Sequence, residues 1–228
     1  MSITSFTDVV LHYTAGEDYT VAVRQTGGPL TIVALHGGTL APHSEALAAD
    51  IAGEEHNLYQ FIALTDDPGL RVSPLRAREA RLDNLISRSE AVVSVCALEH
   101  GERIEAGGNN AMLCASITTA LQAAGLDVDA SCSPGIDVST AYFFNREKDG
   151  GVQLAVPSAL LRTLYGEGSA EAGRSLAEAV RAGMVDYLVR SRSDLARTMA
   201  RFERDTARFT PELLNSAGRD RHCSRDTH

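Results

Sequence analysis

The stretch from Thr31 to Gly53 brings an imidazole and a carboxylate to one point of the chain. A short apolar run delivers His36 at its end, two glycines allow a sharp turn, and Glu45 lies at the start of an alanine-rich helical pattern. A strand, a turn and a helix start in this order place both side chains at one edge of a sheet. Such a pair provides two of the three protein ligands of a His₂Glu zinc site, which leaves a fourth position for water.

A second strand end supplies the third ligand of this hypothesis, His100. The apolar, β-branched run from Ala91 to Leu98 predicts a buried strand, and His100 and a glycine follow it, as His36 and a glycine follow the first strand. Because the parallel strands of an α/β sheet end on the same side, both imidazoles can reach one point. The alternative is that each histidine only closes its strand.

Alternating strand and helix patterns predict how these ends are positioned. The pattern indicates an α/β three-layer domain with a central mixed, largely parallel sheet flanked by helices, over residues 1–167. Strands are predicted at Tyr19–Arg24, Leu30–Leu35, Asn57–Leu64, Ala91–Leu98, Leu126–Ala130, Thr140–Phe144 and Val152–Val156. Helices are predicted at Ser44–Ile51, Leu75–Arg88, Asn110–Ala124, Pro157–Tyr165, Ala170–Ser191 and Asp194–Ala207.

The region after the domain differs in character. Residues 168–210 form a C-terminal helical extension of two amphipathic helices, which we expect to pack on the domain, with a homodimer interface as the alternative. Residues 211–228 are polar and charged, so we expect a disordered tail. His222, Cys223 and His228 are read as part of that tail rather than as metal ligands.

Composition excludes several function classes. The 228 residues carry a formal net charge of −9, which disfavours binding to nucleic acid. No charged-then-apolar leader and no bilayer-length apolar run stand out, so we expect a cytoplasmic protein without a membrane partner. The cysteines show no close paired spacing, and we expect reduced thiols rather than disulfides or a cysteine zinc site: Cys96, Cys114, Cys132 and Cys223.

Motifs in a constant order resemble the poly-γ-glutamate hydrolases of phages and bacteria, small zinc peptidases related in fold to the carboxypeptidase A group. The resemblance covers roughly positions 5 to 165. It rests on Asp18–Arg24, on His36-Gly37-Gly38 with Pro42 and Ser44–Ala48, on Val93-Ser94 with His100-Gly101, on Gly107–Asn109, and on Asn145-Arg146 with Gly150–Leu154. The resemblance implies a zinc hydrolase whose metal ligands are His36, Glu45 and His100.

The resemblance also suggests how a substrate is held. Asn145 and Arg146 lie in the family-like element and are expected to bind a carboxylate of a small-molecule or peptide substrate, since a guanidinium recognises a carboxylate through two parallel hydrogen bonds. A second group of arginines lies between Arg71 and Arg88. It is either a basic pocket or a solvated helix face.

One departure from the family pattern bears directly on catalysis. The last motif reads GVQLA, so Ala155 stands where the family's Glu is expected as general base. Loss of a positioned base commonly costs roughly 10²- to 10⁴-fold in rate. Glu102 and Glu105 follow the second histidine, and either is a candidate replacement; the alternative is that both are solvated loop carboxylates. If strand geometry persisted beyond His100, Glu102 would share its face.

Two functions follow from these residues. The first is a zinc-dependent hydrolase that cleaves a γ-glutamyl or similar carboxylate-bearing amide bond. The second is a zinc-binding member of the same fold that has lost or changed peptidase activity, because Ala155 replaces the expected base.

Overall fold

The computed structural model of the chain describes residues 5–129, 139–146, 149–166 and 170–217. The helices are α1 (Phe6–His12), α2 (Ser44–Ala52), α3 (Ala80–Ile86), α4 (Ala111–Ala123), α5 (Ser158–Tyr165) and α6 (Ala170–Ala217). The strands are β1 (Tyr19–Arg24), β2 (Leu30–Gly38), β3 (Asn57–Ala63), β4 (Ala91–Leu98), β5 (Ile104–Gly107), β6 (Val128–Asp129) and β7 (Gly151–Pro157). Short 3₁₀ turns lie at Pro68–Leu70 and Phe143–Asn145.

The strands form one mixed sheet in the order β1-β3-β2-β4-β7-β5-β6. Its centre is parallel, since β3, β2, β4 and β7 run the same way. The strand β1 is antiparallel to β3, and β5 is antiparallel to β7. The carboxyl ends of β2 and β4 therefore lie side by side, as a crevice at the sheet edge requires.

Each face of the sheet is covered by helices. Alternate residues of the strands, such as Val33, Phe61 and Ala155, join α1, α3 and the 3₁₀ turns in one apolar cluster. The helices α2, α4 and α5 contact the strands from the other side, and Gly183 of α6 lies against the backbone of Ile117 in α4. These layers confirm the predicted α/β class and the largely parallel sheet.

Several predicted elements are wrong in detail. The helix predicted from Leu75 begins only at Ala80, because the carboxylate of Glu79 accepts from the N–H of Leu82 at 2.9 Å and caps the helix there. The strand predicted at Thr140–Phe144 is a 3₁₀ turn over Phe143–Asn145. The sequence reading also missed α1 and the four-residue strand β5.

The two predicted C-terminal helices are one helix, α6, of 48 residues. The sequence between Ser191 and Asp194, where the break was predicted, contains no glycine or proline. The hydroxyl of Ser193 there donates to the carbonyl of Val189, one helical turn earlier, at 2.8 Å. The helix also runs to Ala217, into the segment expected to be disordered; residues 218–228, with their histidines and Cys223, lie outside the described residues.

The chain divides into two compact units, residues 1–185 and 186–228. The apolar side chains of Leu195, Met199 and Phe202 in the second unit are exposed. The homodimer through this segment stays a prediction. Within the described residues, no helix combines the length and the apolar character that crossing a membrane requires.

Candidate active site

A bulge near the end of β2 presents His36. The strand pairs Ala34 with Gln60 and Gly37 with Ile62, so β2 holds one more residue than β3 in this interval. Such an extra residue re-aims a side chain and is common beside active sites. The Nε2 atom of His36 lies 2.7 Å from the carbonyl oxygen of Val72. A carbonyl only accepts, so Nε2 carries the proton and Nδ1 keeps the lone pair that a metal requires.

The environment of His36 favours the neutral imidazole. Burial lowers the pKa of His36, and the positive charge of Arg71 lowers it further, while the hydrogen bond to the carbonyl of Val72 opposes both effects. The neutral ring is the form that ligates metal ions.

Glu45 is fixed against the same turn. A Cβ on Gly37 would lie 2.9 Å from the Cβ of Glu45 and 3.1 Å from its Oε2, so only glycine permits this approach. Gly38, at φ +68°, donates its N–H to Oε2 of Glu45 at 3.1 Å. The hydroxyl of Ser44 lies 3.1 Å from the carbonyl oxygen of His36 and 2.8 Å from that of Ala41. His36 and Glu45 are therefore held on one rigid turn.

The residue before this helix was missed by the sequence reading. His43 has a φ of +73°, and within the described ranges it is the one non-glycine residue with a positive φ. Its ring stacks on the ring of Tyr165 with centroids 6.2 Å apart. Strained backbone of this kind is concentrated at functional sites, and nothing in the sequence pattern announces it.

His100 lies in a more exposed position than His36. It follows β4 in an exposed bend, at the sheet edge where β2 also ends. Among the described residues, no three His, Cys, Asp or Glu side chains come close enough together to hold a metal ion. The donor types His, Glu and His fit zinc, and two of them, His36 and Glu45, share the β2–α2 turn, whereas His100 lies in the exposed bend after β4.

The two candidate carboxylates lie in different surroundings. Glu102 is exposed in the bend between β4 and β5, so the strand geometry that would have given it a shared face with His100 does not persist beyond Leu98. Glu105 lies on β5, is only partly exposed, and pairs directly with Ala155 of β7. The structure thus brings one of the two beside the position where the family pattern expects a carboxylate.

The residues expected to bind substrate have other partners. Asn145 is fully buried; its Oδ1 accepts from the N–H of Asn109 at 3.1 Å and its Nδ2 donates to the carbonyl of Ser139 at 3.1 Å. Arg146 Nη1 lies 2.9 Å from Oδ1 of Asp83. The structure thus bonds both side chains to neighbouring segments of the protein, and the expectation that Asn145 and Arg146 hold a substrate carboxylate stays a prediction.

Arg71 is the basic group that the structure places near His36. Its side chain is 44% exposed, and its Nη2 donates to the carbonyl of Leu40 at 3.0 Å and lies 3.3 Å from Oε1 of Glu99. Its charge lowers the pKa of His36, which follows from its position beside the ring. The sequence had pointed to the arginine group as a whole without separating Arg71 from its neighbours.

Comparison with known proteins identifies the family of this chain. The family model for poly-gamma-glutamate hydrolase matches residues 3–187. The chain belongs to the poly-γ-glutamate hydrolase family. The resemblance noted in the sequence is thereby confirmed, and the chain is a member of a hydrolase family.

Three relatives show the extent of the likeness. UPF0714 protein YndL of Bacillus subtilis (strain 168) is 27% identical in an alignment 158 positions long. The alignment covers 65% of this chain and 61% of YndL, so the match spans less than two-thirds of that relative. A bacteriophage poly-gamma-glutamate hydrolase structure aligns with a TM-score of 0.72 and 20% identity, over 81% of this chain and 96% of the phage chain. A zinc-free apo structure of YndL aligns with a TM-score of 0.68 and 22% identity, over 82% and 97%. Both structures share the fold of this chain.

Proposed function

We propose that the protein is a zinc-dependent hydrolase that cleaves a γ-glutamyl or similar carboxylate-bearing amide bond. The observation that supports it most is the β2–α2 turn, where a carbonyl fixes the tautomer of His36 and two glycines make room for Glu45. A ligating histidine whose other nitrogen is bonded to a carbonyl is a recurrent feature of metal sites. YndL, a relative with a structure in a zinc-free apo form, supports the choice of metal.

In this proposal His36 would ligate through Nδ1 and Glu45 through its carboxylate, with His100 as the third ligand. The bend that carries His100 is exposed and lies at the end of the strand beside β2, so it can close on a metal without disturbing the core. When bound, zinc would polarise the amide carbonyl and lower the pKa of a water molecule. The protein itself would hold these donors, and would hold the substrate amide next to the metal.

Arg71 takes the role of reading the substrate carboxylate in this proposal. It is half exposed and lies beside His36, whereas Arg146 is bonded to Asp83 and to the carbonyl of Ala77. Removing one charge-assisted contact costs roughly 1.5–3 kcal/mol. We therefore expect Arg71→Ala to lower kcat/KM on a carboxylate-bearing substrate by about 10- to 100-fold and to leave an amidated analogue unaffected.

The matched control for that experiment is Arg146→Ala. This variant should unfold at a lower temperature, because the mostly buried side chain of Arg146 is bonded to Asp83 and to the carbonyl of Ala77, but it should still discriminate the two substrates. Discrimination lost in Arg146→Ala and kept in Arg71→Ala would reverse the assignment.

A second candidate function is supported by Ala155. A member of the fold that lacks the family's carboxylate on β7 could bind zinc without hydrolysing amides. Metal content and turnover separate the two functions. The purified protein should contain about one zinc and release glutamate from γ-glutamyl oligomers, with release stopped by a chelator and restored by zinc. Stoichiometric zinc without turnover on any γ-glutamyl amide would favour the second function.

A further inference from the structure

Three central strands align a row of side chains across one face of the sheet. Cys96 of β4 pairs with Ala155 of β7, and Ala155 pairs in turn with Glu105 of β5. Directly paired residues of neighbouring strands point to the same face. His36 is bonded to the carbonyl of Val72, and Val72 belongs to the same apolar cluster as Ala155, with Cys96 packed against it, so the row lies on the side of the sheet toward which His36 is turned.

The contacts in this row place the carboxylate of Glu105 toward it. Gln153, two residues before Ala155 on β7, donates from Nε2 to Sγ of Cys96 on the neighbouring strand at 2.8 Å. Burial raises the pKa of the Cys96 thiol to about 11, and the negative charge of Glu105 contributes to the rise. Glu105 is therefore near the thiol and partly buried, rather than pointing away into solvent.

Ala155 is buried in the apolar cluster and carries only a methyl group, so it supplies no carboxylate of its own. Directly opposed residues of an antiparallel pair have Cα atoms about 4.5–5.5 Å apart, which is within the reach of a glutamate side chain. A carboxylate on Glu105 can thus cover the position above Ala155 from the neighbouring strand.

We propose that Glu105 is the general base of this protein, and that the carboxylate lost from position 155 of β7 has been replaced across the strand pair by one on β5. The inference rests on the proposed function. Glu105 accepts a proton from the water whose oxygen attacks the amide carbonyl carbon. It then returns that proton to the amide nitrogen as the C–N bond breaks, which yields a carboxylate and an amine.

Glu102 does not fit this role. It lies in the exposed bend before β5, where strand pairing has not yet begun, and no register fixes it relative to β7. Among the described residues of the neighbouring strands, the ionisable groups on the side of Glu105 are Cys96 of β4 and Asp129, its pairing partner in β6. Asp129 stands one strand further from Ala155, so it cannot substitute for Glu105.

The experiment compares four proteins on a γ-glutamyl oligomer: wild type, Glu105→Gln, Glu102→Gln, and the double variant Glu105→Gln with Ala155→Glu. We expect Glu105→Gln to lower kcat by roughly 10²- to 10⁴-fold, the loss typical of a general base, with zinc content unchanged. Glu102→Gln should keep wild-type turnover. The double variant, with the carboxylate moved back to β7, should recover at least about tenfold over Glu105→Gln.

A second readout does not depend on activity. In a background where Cys114, Cys132 and Cys223 are replaced by alanine, alkylation of Cys96 is followed against pH. Glu105→Gln should move the titration of this thiol to lower pH, because a neighbouring negative charge is removed, and Glu102→Gln should leave it in place.

The outcomes separate the inference from the function on which it rests. An active wild type with an equally active Glu105→Gln variant would overturn the role of Glu105 alone, and so would an unshifted thiol titration in that variant. A wild-type protein that binds zinc and hydrolyses no γ-glutamyl amide would overturn the proposed function, and the role of Glu105 with it.

Discussion

The ends of β2 and β4 carry the two predicted histidine ligands and are built in opposite ways. At the β2 end, His36 is bonded to the carbonyl of Val72, and Glu45 is bonded to the N–H of Gly38. The β4 end is the segment from Glu99 to Arg103, and in it His100 lies in an exposed bend close in sequence to Glu102. A ligand that is already held by hydrogen bonds loses little freedom when a metal binds, whereas an exposed side chain loses more of its rotamer freedom at that moment. The β2 end should therefore set where the metal binds, and the β4 end should determine how completely the site closes.

The largest effect should come from His36. We expect His36→Ala to abolish stoichiometric zinc binding, while His100→Ala retains weakened binding, reduced by about 100-fold, because the two donors on the β2 turn remain in place. Competition with a chromophoric chelator measures both affinities. Equal losses in the two variants would contradict the proposed difference between the ends.

The glycines at the two ends provide a second comparison. In Gly37→Ala the new methyl group would collide with the side chain of Glu45, so we expect zinc affinity to fall by about 10- to 100-fold. Gly101, at φ +136°, has only Cδ1 of Leu98 within contact at 3.6 Å, so Gly101→Ala strains the bend without displacing a ligand. Its zinc affinity should fall by less than that of Gly37→Ala. The reverse order would show that the β4 end is the rigid one.

Stability should respond at the β2 end even without metal. Ser44 is buried and its hydroxyl joins the carbonyls of His36 and Ala41, so Ser44→Ala should lower the free energy of unfolding by about 1 kcal/mol. The control is Ser87→Ala in α3, an exposed serine bonded to the carbonyl of Asn84, which should change it by less than about 0.5 kcal/mol. Urea unfolding of the chelated protein measures both. Urea unfolding curves of Ser44→Ala and the wild type that coincide would show that Ser44 does not support the turn.

The smallest effect is a local one. Zinc should slow amide hydrogen exchange at the β4 end, Glu99 to Arg103, and leave exchange at Gly37 and Gly38 close to that of the chelated protein, because His100 lies in an exposed bend whereas the β2 turn is already bonded to Glu45. Mass spectrometry of peptides from the two segments, with and without zinc, makes the measurement. Protection confined to the β2 end would refute the comparison.

Some of the site was predictable because it depends on neighbours in the sequence. The spacing of His36, two glycines and Glu45 describes a strand, a turn and a helix start, and the structure has that order. The extent of β4 was predicted to the residue, since a continuous apolar run is the signal for a buried parallel strand. A four-residue strand such as β5 carries too little pattern to detect, which is why Glu105 was named without its partner.

Other parts depended on contacts between distant segments. The sequence gives Asn145 and Arg146 the composition of a carboxylate-binding pair, yet Asn109, Ser139 and Asp83 engage them in the folded chain. Nothing near Arg71 in sequence indicates that it lies beside His36, more than thirty positions away. The sequence shows which polar side chains the protein has, but only the folded structure shows which of them already bond to other residues.

The sequence by itself determined the alternation of elements, the family and the identity of the candidate ligands, because periodicity and motif order are local properties. The tertiary structure decided the rest. It placed an extra residue in β2 that turns His36 toward Val72, and it paired Glu105 with Ala155 through a register between strands about fifty residues apart. Strand pairing is a long-range choice made by the burial of whole faces, so the neighbour of a side chain across a sheet cannot be read from the residues on either side of it.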